Sequence, residues 1–139
     1  MLEHHGDEGL QHKLDGIQIL DYLILPQTAF WSLDYYGDFA ADVDAVISTG
    51  GTGLTGRDVT IEAMRGLFDK EIDGFSVAFH MISWPKIGTS TVQSRATAGI
   101  VGGKYVFCLP GSPGACRDGW DDLLKPQLDY RHKPCNFVE

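Results

Sequence analysis

The stretch Ile47-Ser-Thr-Gly-Gly-Thr-Gly-Leu-Thr-Gly-Arg-Asp-Val-Thr60 decides how this chain is read. An apolar run, Val43 to Ile47, leads into it and reads as a strand through Thr49. Glycines follow at 50, 51, 53 and 56, then Arg57 and Asp58. A helix is predicted from about Thr60 through Phe68, with Thr60 as its N-cap and Glu62 where the helix dipole favours an acid. A strand, a glycine-rich turn and a helix N-terminus together form an anion site, because glycine lets backbone N–H groups approach a phosphate closely.

Outward from that stretch, strands and helices alternate. Upstream, Ile17-Gln-Ile-Leu-Asp-Tyr-Leu-Ile-Leu25 is β-branched and aromatic and closes at Pro26, so it reads as a buried strand, with helix as the competing reading. Residues Thr28 to Ala41 carry aromatics at roughly helical spacing, and no basic residues are interleaved to make them a base-stacking platform. Downstream, Asp69 to Asp73 is a polar link, and Gly74 to Trp84 is a helix ended by Pro85. His80 within it reads as packed or surface. Ile87 to Arg95 is a hydroxyl-rich loop. Ala96 to Val101, Gly102-Gly103 and Lys104 to Leu109 form a hairpin. Pro110-Gly-Ser-Pro-Gly114 is a second glycine-containing turn, and a helix from about Ala115 to Leu124 follows, interrupted or ended by Pro126.

The pattern predicts an α/β layered domain with a mainly parallel sheet and one antiparallel edge hairpin. Ligands bind beyond the carboxyl ends of strands in such sheets, so the turns at 50–56 and 110–114 should face one crevice. Residues 1–9 are unpatterned and read as a disordered or non-native terminus. His4 and His5 are adjacent and share no face for a metal. Residues 10–139 then make a single domain, large enough to bury a core.

Composition narrows the function. The net charge is −8 over 139 residues, which argues against nucleic-acid binding because no basic stripe exists to neutralise a phosphate backbone. Three cysteines, Cys108, Cys116 and Cys135, lack metal-site spacing and read as free thiols in a reducing compartment. No apolar run reaches the length of a membrane span and no signal peptide is visible, so a cytoplasmic protein is expected.

Two phosphate-binding patterns fit the loop only in part. Gly51-Thr-Gly-Leu-Thr-Gly56 spells the dinucleotide fingerprint, with Asp73 near the distance of its acid, but a second strand ending in that acid should intervene. Gly51 and Gly56 also have the spacing of P-loop glycines, but Arg57-Asp58 stands where that motif requires Lys and Ser/Thr. What remains is backbone donors for an anion and a carboxylate able to hold a divalent cation.

Gly50-Gly51-Thr52-Gly53 followed by Arg57-Asp58 and Thr60 resembles the loop of the MoaB/MogA family of molybdenum cofactor biosynthesis proteins, which includes the gephyrin G domain. Three further segments agree in order: Gly88-Thr-Ser-Thr-Val-Gln-Ser-Arg95, Leu109-Pro-Gly-Ser-Pro-Gly-Ala-Cys116 and Pro134-Cys-Asn-Phe137. The first and last of these three resemble the MoaB branch. The similarity covers about residues 42–139, and more weakly 16–41.

The resemblance implies a three-layer α/β/α fold that binds molybdopterin, assembled as a homotrimer or hexamer. It implies adenylylation of the terminal phosphate of molybdopterin by ATP with Mg2+. Asp58 would be the catalytic, metal-holding residue. Gly50, Gly51, Thr52, Gly53, Arg57, Ser94, Pro110, Gly111, Ser112 and Pro113 would bind substrate, and Arg57 and Arg95 are candidate charge partners. Family members begin with a buried strand before an acidic Asp-x-Ser-Gly region. Asp7-Glu-Gly9 echoes that region without the strand. Many active members also follow the proline ending the second strand with aspartate, where this chain has Pro26-Gln27. An amide does not replace a carboxylate at a metal. The alternative to an adenylyltransferase is therefore a non-catalytic molybdopterin-binding or assembly module of the same fold.

Overall fold

The computed structural model describes residues 22–26 and 44–138; of residues 22–26 it describes the backbone. The expected non-native terminus, the beginning of the strand at Ile17, Gln27 and the aromatic helix between Thr28 and Ala41 lie outside the described residues.

In chain order the elements are β1 (Tyr22–Pro26), β2 (Ala45–Thr49), α1 (Thr60–Arg65), β3 (Lys70–Glu71), α2 (Asp73–Ile87), a 3-10 helix (Gly88–Gln93), β4 (Thr97–Val101), β5 (Lys104–Leu109) and α3 (Pro113–Gly119). A π-helical segment, Trp120–Leu124, carries α3 on to a last short turn, Lys125–Gln127. The strands form one sheet in the order β1-β2-β5-β4-β3. The pairs β1–β2 and β2–β5 are parallel, whereas β4 runs antiparallel to both β5 and β3. Among the described residues four strands therefore share one direction and β4 alone opposes them.

The hairpin is where the sequence places it, but it is not the edge: β3 lies outside β4. A two-residue strand is too short to show alternation, and both of its residues are exposed, so it reads as a link. Its brevity and charge also make it a poor template for edge-to-edge pairing. The Gly102-Gly103 turn has φ of 55° and 79°. Both values are positive, as the tight turn that matches strand twist requires.

Side chains alternate across the strands. One face carries Ala45, Ile47, Ala98, Phe107 and Leu109, packed with Phe75 and Phe79 of α2 and with Leu124 and Leu128. On the opposite face the Phe68 ring, just beyond α1, lies over Gly99. A Cβ at Gly99 would stand 2.3 Å from its Cγ. Helical segments thus cover both faces, which is the expected three-layer arrangement.

The C-terminal motif seals the first face. The Phe137 ring lies 4.8 Å from Tyr105 and 5.5 Å from Phe107 between centroids. The Phe137 N–H donates to Gln127 O at 2.8 Å, and the Asn136 side chain donates to the carbonyls of Tyr130 and His132. Pro134-Cys-Asn-Phe137 is therefore a structural strap.

Four local expectations are corrected. Pro85 does not end its helix, which continues to Ile87. Proline removes only the bond to Met81 O, and Met81 is exposed, so water can satisfy that carbonyl. The hydroxyl-rich loop contains the 3-10 helix Gly88–Gln93. The helix after Leu109 starts at Pro113, two residues early, because Ser112 caps it and proline suits its first position. Pro126 is tolerated downstream of a π-helical turn, in which Lys125 N–H donates to Trp120 O.

Two outcomes follow from this packing. Gly99→Ala should lower stability by about 1–3 kcal/mol, read as a lower denaturant midpoint, since the ring base at Phe68 cannot swing clear. All three cysteines are free. Burial pushes the Cys108 thiol up to about 12, so a maleimide should label exposed Cys135 first, half-buried Cys116 more slowly, and Cys108 only on unfolding, as mass spectrometry would show.

Candidate functional site

The site begins at the carboxyl end of the parallel pair β2–β5. The Gly50 N–H donates to Leu109 O at 2.9 Å, extending that pairing one step past the strands. Gly50 and Gly51 have φ of 96° and 67°, so the chain turns away at once in a conformation that disfavours other residues. A Cβ built on Gly111 would stand 3.2 Å from Gly50 Cα. The two glycine turns are therefore in backbone contact and wall one crevice, as the strand order predicts.

Thr60 closes the loop from the other side. It is not the N-cap of α1: Val59 holds that position, and Thr60 is the first helical residue. Its hydroxyl donates to Gly50 O and its N–H to Gly51 O, both at 2.9 Å. Both groups donate to glycine carbonyls, which ties the first residue of α1 back to the loop. The helix stops at Arg65, three residues short of the expected end, where Gly66 caps it and the chain turns towards Gly99.

Asp58 folds back on its own loop. Its Oδ2 accepts from the Thr55 hydroxyl at 2.5 Å and from the Thr55 N–H at 3.0 Å. The hydroxyl bond, then the N–H bond, hold its carboxyl below the ordinary carboxylate range, with Arg57 and Arg95 adding to the effect. Asp58 is thus ionised at neutral pH, and these bonds are lost only as pH falls through its depressed value. A Cβ at Gly53 would stand 2.7 Å from Oδ2, so that position is glycine for steric reasons.

Arg95 reaches the loop from the segment after the 3-10 helix. Its Nε donates to Thr52 O at 2.8 Å and its Nη2 to Gly53 O at 2.9 Å. Its Nη1 donates to Glu62 Oε1 at 2.5 Å, and Nη2 also reaches Glu62 Oε2 at 3.3 Å. The preceding residue is held from α2, where the His80 Nε2–H donates to Ser94 O at 2.7 Å.

The structure brings Gly50, Gly51, Thr52, Gly53, Asp58, Ser94 and Arg95 to one place, with Pro110, Gly111, Ser112 and Pro113 on the facing turn. Ser112 Oγ accepts from Ala115 N–H. Thr52 is buried, whereas Arg57 is exposed. Sequence reasoning missed Thr55, although Thr55-x-x-Asp58 has the spacing of a capping motif. It assigned Glu62 to the helix dipole alone. No spacing rule links positions 62 and 95. Among the described residues no group of three or more His, Cys, Asp or Glu could hold a metal, and no helix is long and apolar enough to cross a membrane.

Gly53→Ala should displace the Asp58 carboxylate and release both Thr55 bonds. The measurable outcome is about tenfold faster amide exchange at Thr55, with the fold retained.

Comparison with known proteins agrees with this arrangement. Residues 16–130 match the protein-family model described as "Probable molybdopterin binding domain". Molybdenum cofactor biosynthesis protein B of Escherichia coli (strain K12) is 47% identical over 138 residues, covering 98% of this chain and 78% of that protein. The Bacillus cereus protein of the same name is 52% identical over 90 residues, covering 64% of this chain and 53% of the relative. A crystal structure of a molybdenum cofactor biosynthesis protein B aligns with TM-score 0.63 at 51% identity, covering 67% of this chain and 58% of that one. The tungsten cofactor synthesizing protein MoaB from Pyrococcus furiosus aligns with TM-score 0.62 at 41% identity, covering 67% and 59%. The chain thus spans over three quarters of the first relative and little more than half of the others. With four motifs in order and both glycine turns at one sheet end, the chain belongs to the MoaB/MogA family of molybdenum cofactor biosynthesis proteins and carries its molybdopterin-binding fold.

Proposed function

We propose that the crevice between the two glycine turns binds molybdopterin and that the chain transfers AMP to it from ATP. What supports this reading above all is the backbone contact between Gly50 and Gly111. It sets the amide donors of one turn opposite the other at the carboxyl ends of adjacent parallel strands.

In the transfer, an oxygen of the pterin's terminal phosphate attacks the α-phosphorus of ATP. The bond to the β-phosphate breaks and pyrophosphate leaves. Negative charge crowds in that step, so positioning and electrostatic relief are what the protein must provide. Amides of Gly51, Thr52 and Gly53 would donate to phosphate oxygens, while the Gly50 N–H stays on the Leu109 carbonyl and fixes the turn that carries them. Ser94, Ser112 and the turn from Pro110 to Pro113 would line the pterin and its phosphate. Arg57, exposed beside Asp58, would add positive charge at the rim.

The chemistry of Asp58 fits a magnesium ion. It is an ionised carboxylate whose two bonds from Thr55 both fall on Oδ2, and Mg2+ is often bound through one or two carboxylates plus substrate phosphates. Asp58 would hold the ion, which supplies neutralisation of phosphate charge when bound. Cytoplasmic location and assembly as a homotrimer or hexamer belong to the same reading. Val77, Met81 and Trp84, exposed along α2, offer apolar surface for subunit contact.

One observation favours a second reading, a binding or assembly module without catalysis. The Asp58 oxygen that accepts from Thr55 is already employed in shaping the loop, which is a structural aspartate's work. The two readings separate in one assay. Under adenylylation, the unmodified chain transfers AMP to molybdopterin only with magnesium, and Asp58→Asn lowers the rate on the order of a hundredfold. Pterin binding with no transfer by the unmodified chain would establish the module instead.

A further inference from the structure

Arg95 is the residue whose structure departs most from its expected role. A cation beside a phosphate loop invites assignment as a phosphate ligand. Here the guanidinium makes four hydrogen bonds, two to loop carbonyls and two to Glu62. It has five N–H donors in a fixed plane, so most of its capacity is used before any ligand arrives. Its charge is also matched, because Glu62 raises the Arg95 pKa and Arg95 lowers that of Glu62.

The direction of these bonds matters more than their number. Arg95 takes the carbonyls of Thr52 and Gly53, on the far side of the peptide units from their amide donors. A peptide plane is rigid, so fixing a carbonyl fixes where the next residue's N–H points. Gly53 and Leu54 carry those N–H groups. Arg95 itself is placed from two directions, by Glu62 on α1 and by the His80 bond to the preceding carbonyl from α2. Glycine-rich backbone loses much conformational freedom on ordering, so a loop left free would meet that cost on binding.

We propose that Arg95, anchored by Glu62, is the positioning residue of the glycine loop: it orders Thr52 and Gly53 through their carbonyls so that the following amides are set for an anion. This rests on the reading that the loop receives the phosphate of molybdopterin. Lysine does not serve in its place, because one ammonium cannot span two carbonyls and a carboxylate in a planar fork.

The experiment measures amide exchange over residues 50–55 by mass spectrometry on the full chain without ligand, and molybdopterin affinity by fluorescence titration. Arg95→Ala, Arg95→Lys and Glu62→Gln are compared. Glu62 is exposed, so its variant keeps the fold and tests the anchor alone. The expected result is loop exchange about tenfold faster or more in both Arg95 variants, a smaller increase in Glu62→Gln, and weaker pterin binding in all three. Unchanged exchange with weaker binding in the Arg95 variants overturns the proposal, since that is the signature of a direct phosphate ligand. Tighter binding in Glu62→Gln with unchanged exchange overturns it too, because a freed arginine would then be contacting phosphate. Faster exchange with unaltered pterin affinity upholds the clamp and removes the loop from the pterin site, which sinks the functional reading instead.

Discussion

The bond from Gly50 N–H to Leu109 O is the constraint on which the site depends. It is the last rung of the parallel pairing between β2 and β5, made by a residue already turning away. Parallel neighbours end at the same side of a sheet, so their following turns must meet. With this rung in place the two turns meet closely enough that Gly50 and Gly111 touch through backbone. A side chain at Gly111 would press on Gly50 Cα and open the crevice floor. Thr60 then returns to both glycine carbonyls, so the loop is tied to a strand at one end and a helix at the other.

Charge in this site is settled internally before any ligand binds. Asp58 is answered by Thr55, and Arg95 by Glu62 and two carbonyls. The pairs are partly exposed, so their net Coulomb energy is small. Their effect is geometric. A chain of net charge −8 has little surplus cation to attract an anion over distance. Recognition therefore falls to short-range donors, and backbone amides work only if the loop is held still.

The remainder of the domain keeps the two strand ends fixed. Phe75 and Phe79 press one face of β5, and the Phe137 strap covers Tyr105 and Phe107 from the chain's other end. Phe68 fills the space that Gly99 leaves on the opposite face. These contacts lie far apart in sequence and converge on the strands that carry the site. Similarity to relatives named for molybdenum cofactor biosynthesis runs through the same segments, so the resemblance follows the framework as well as the loop.

Local chemistry alone was enough to determine the order of the longer strands and helices from Ala45 to Leu124, the Gly102-Gly103 hairpin, and which two turns share a crevice. Periodicity, glycine and proline act over a few residues, and strand ends follow from strand order. The sequence did not reveal β3, too short to have a period, nor the helix continuing past Pro85, where Met81, whose carbonyl the proline leaves unbonded, lies on the exposed side of α2. It marked Arg95 and Asp58 as charges near a phosphate loop. Only the tertiary structure decided what they touch, because Arg95 meets Thr52, Gly53 and Glu62 across more than thirty residues of intervening chain. No local rule encodes such a contact: it exists because α1 and the segment after the 3-10 helix are brought to the same end of one sheet.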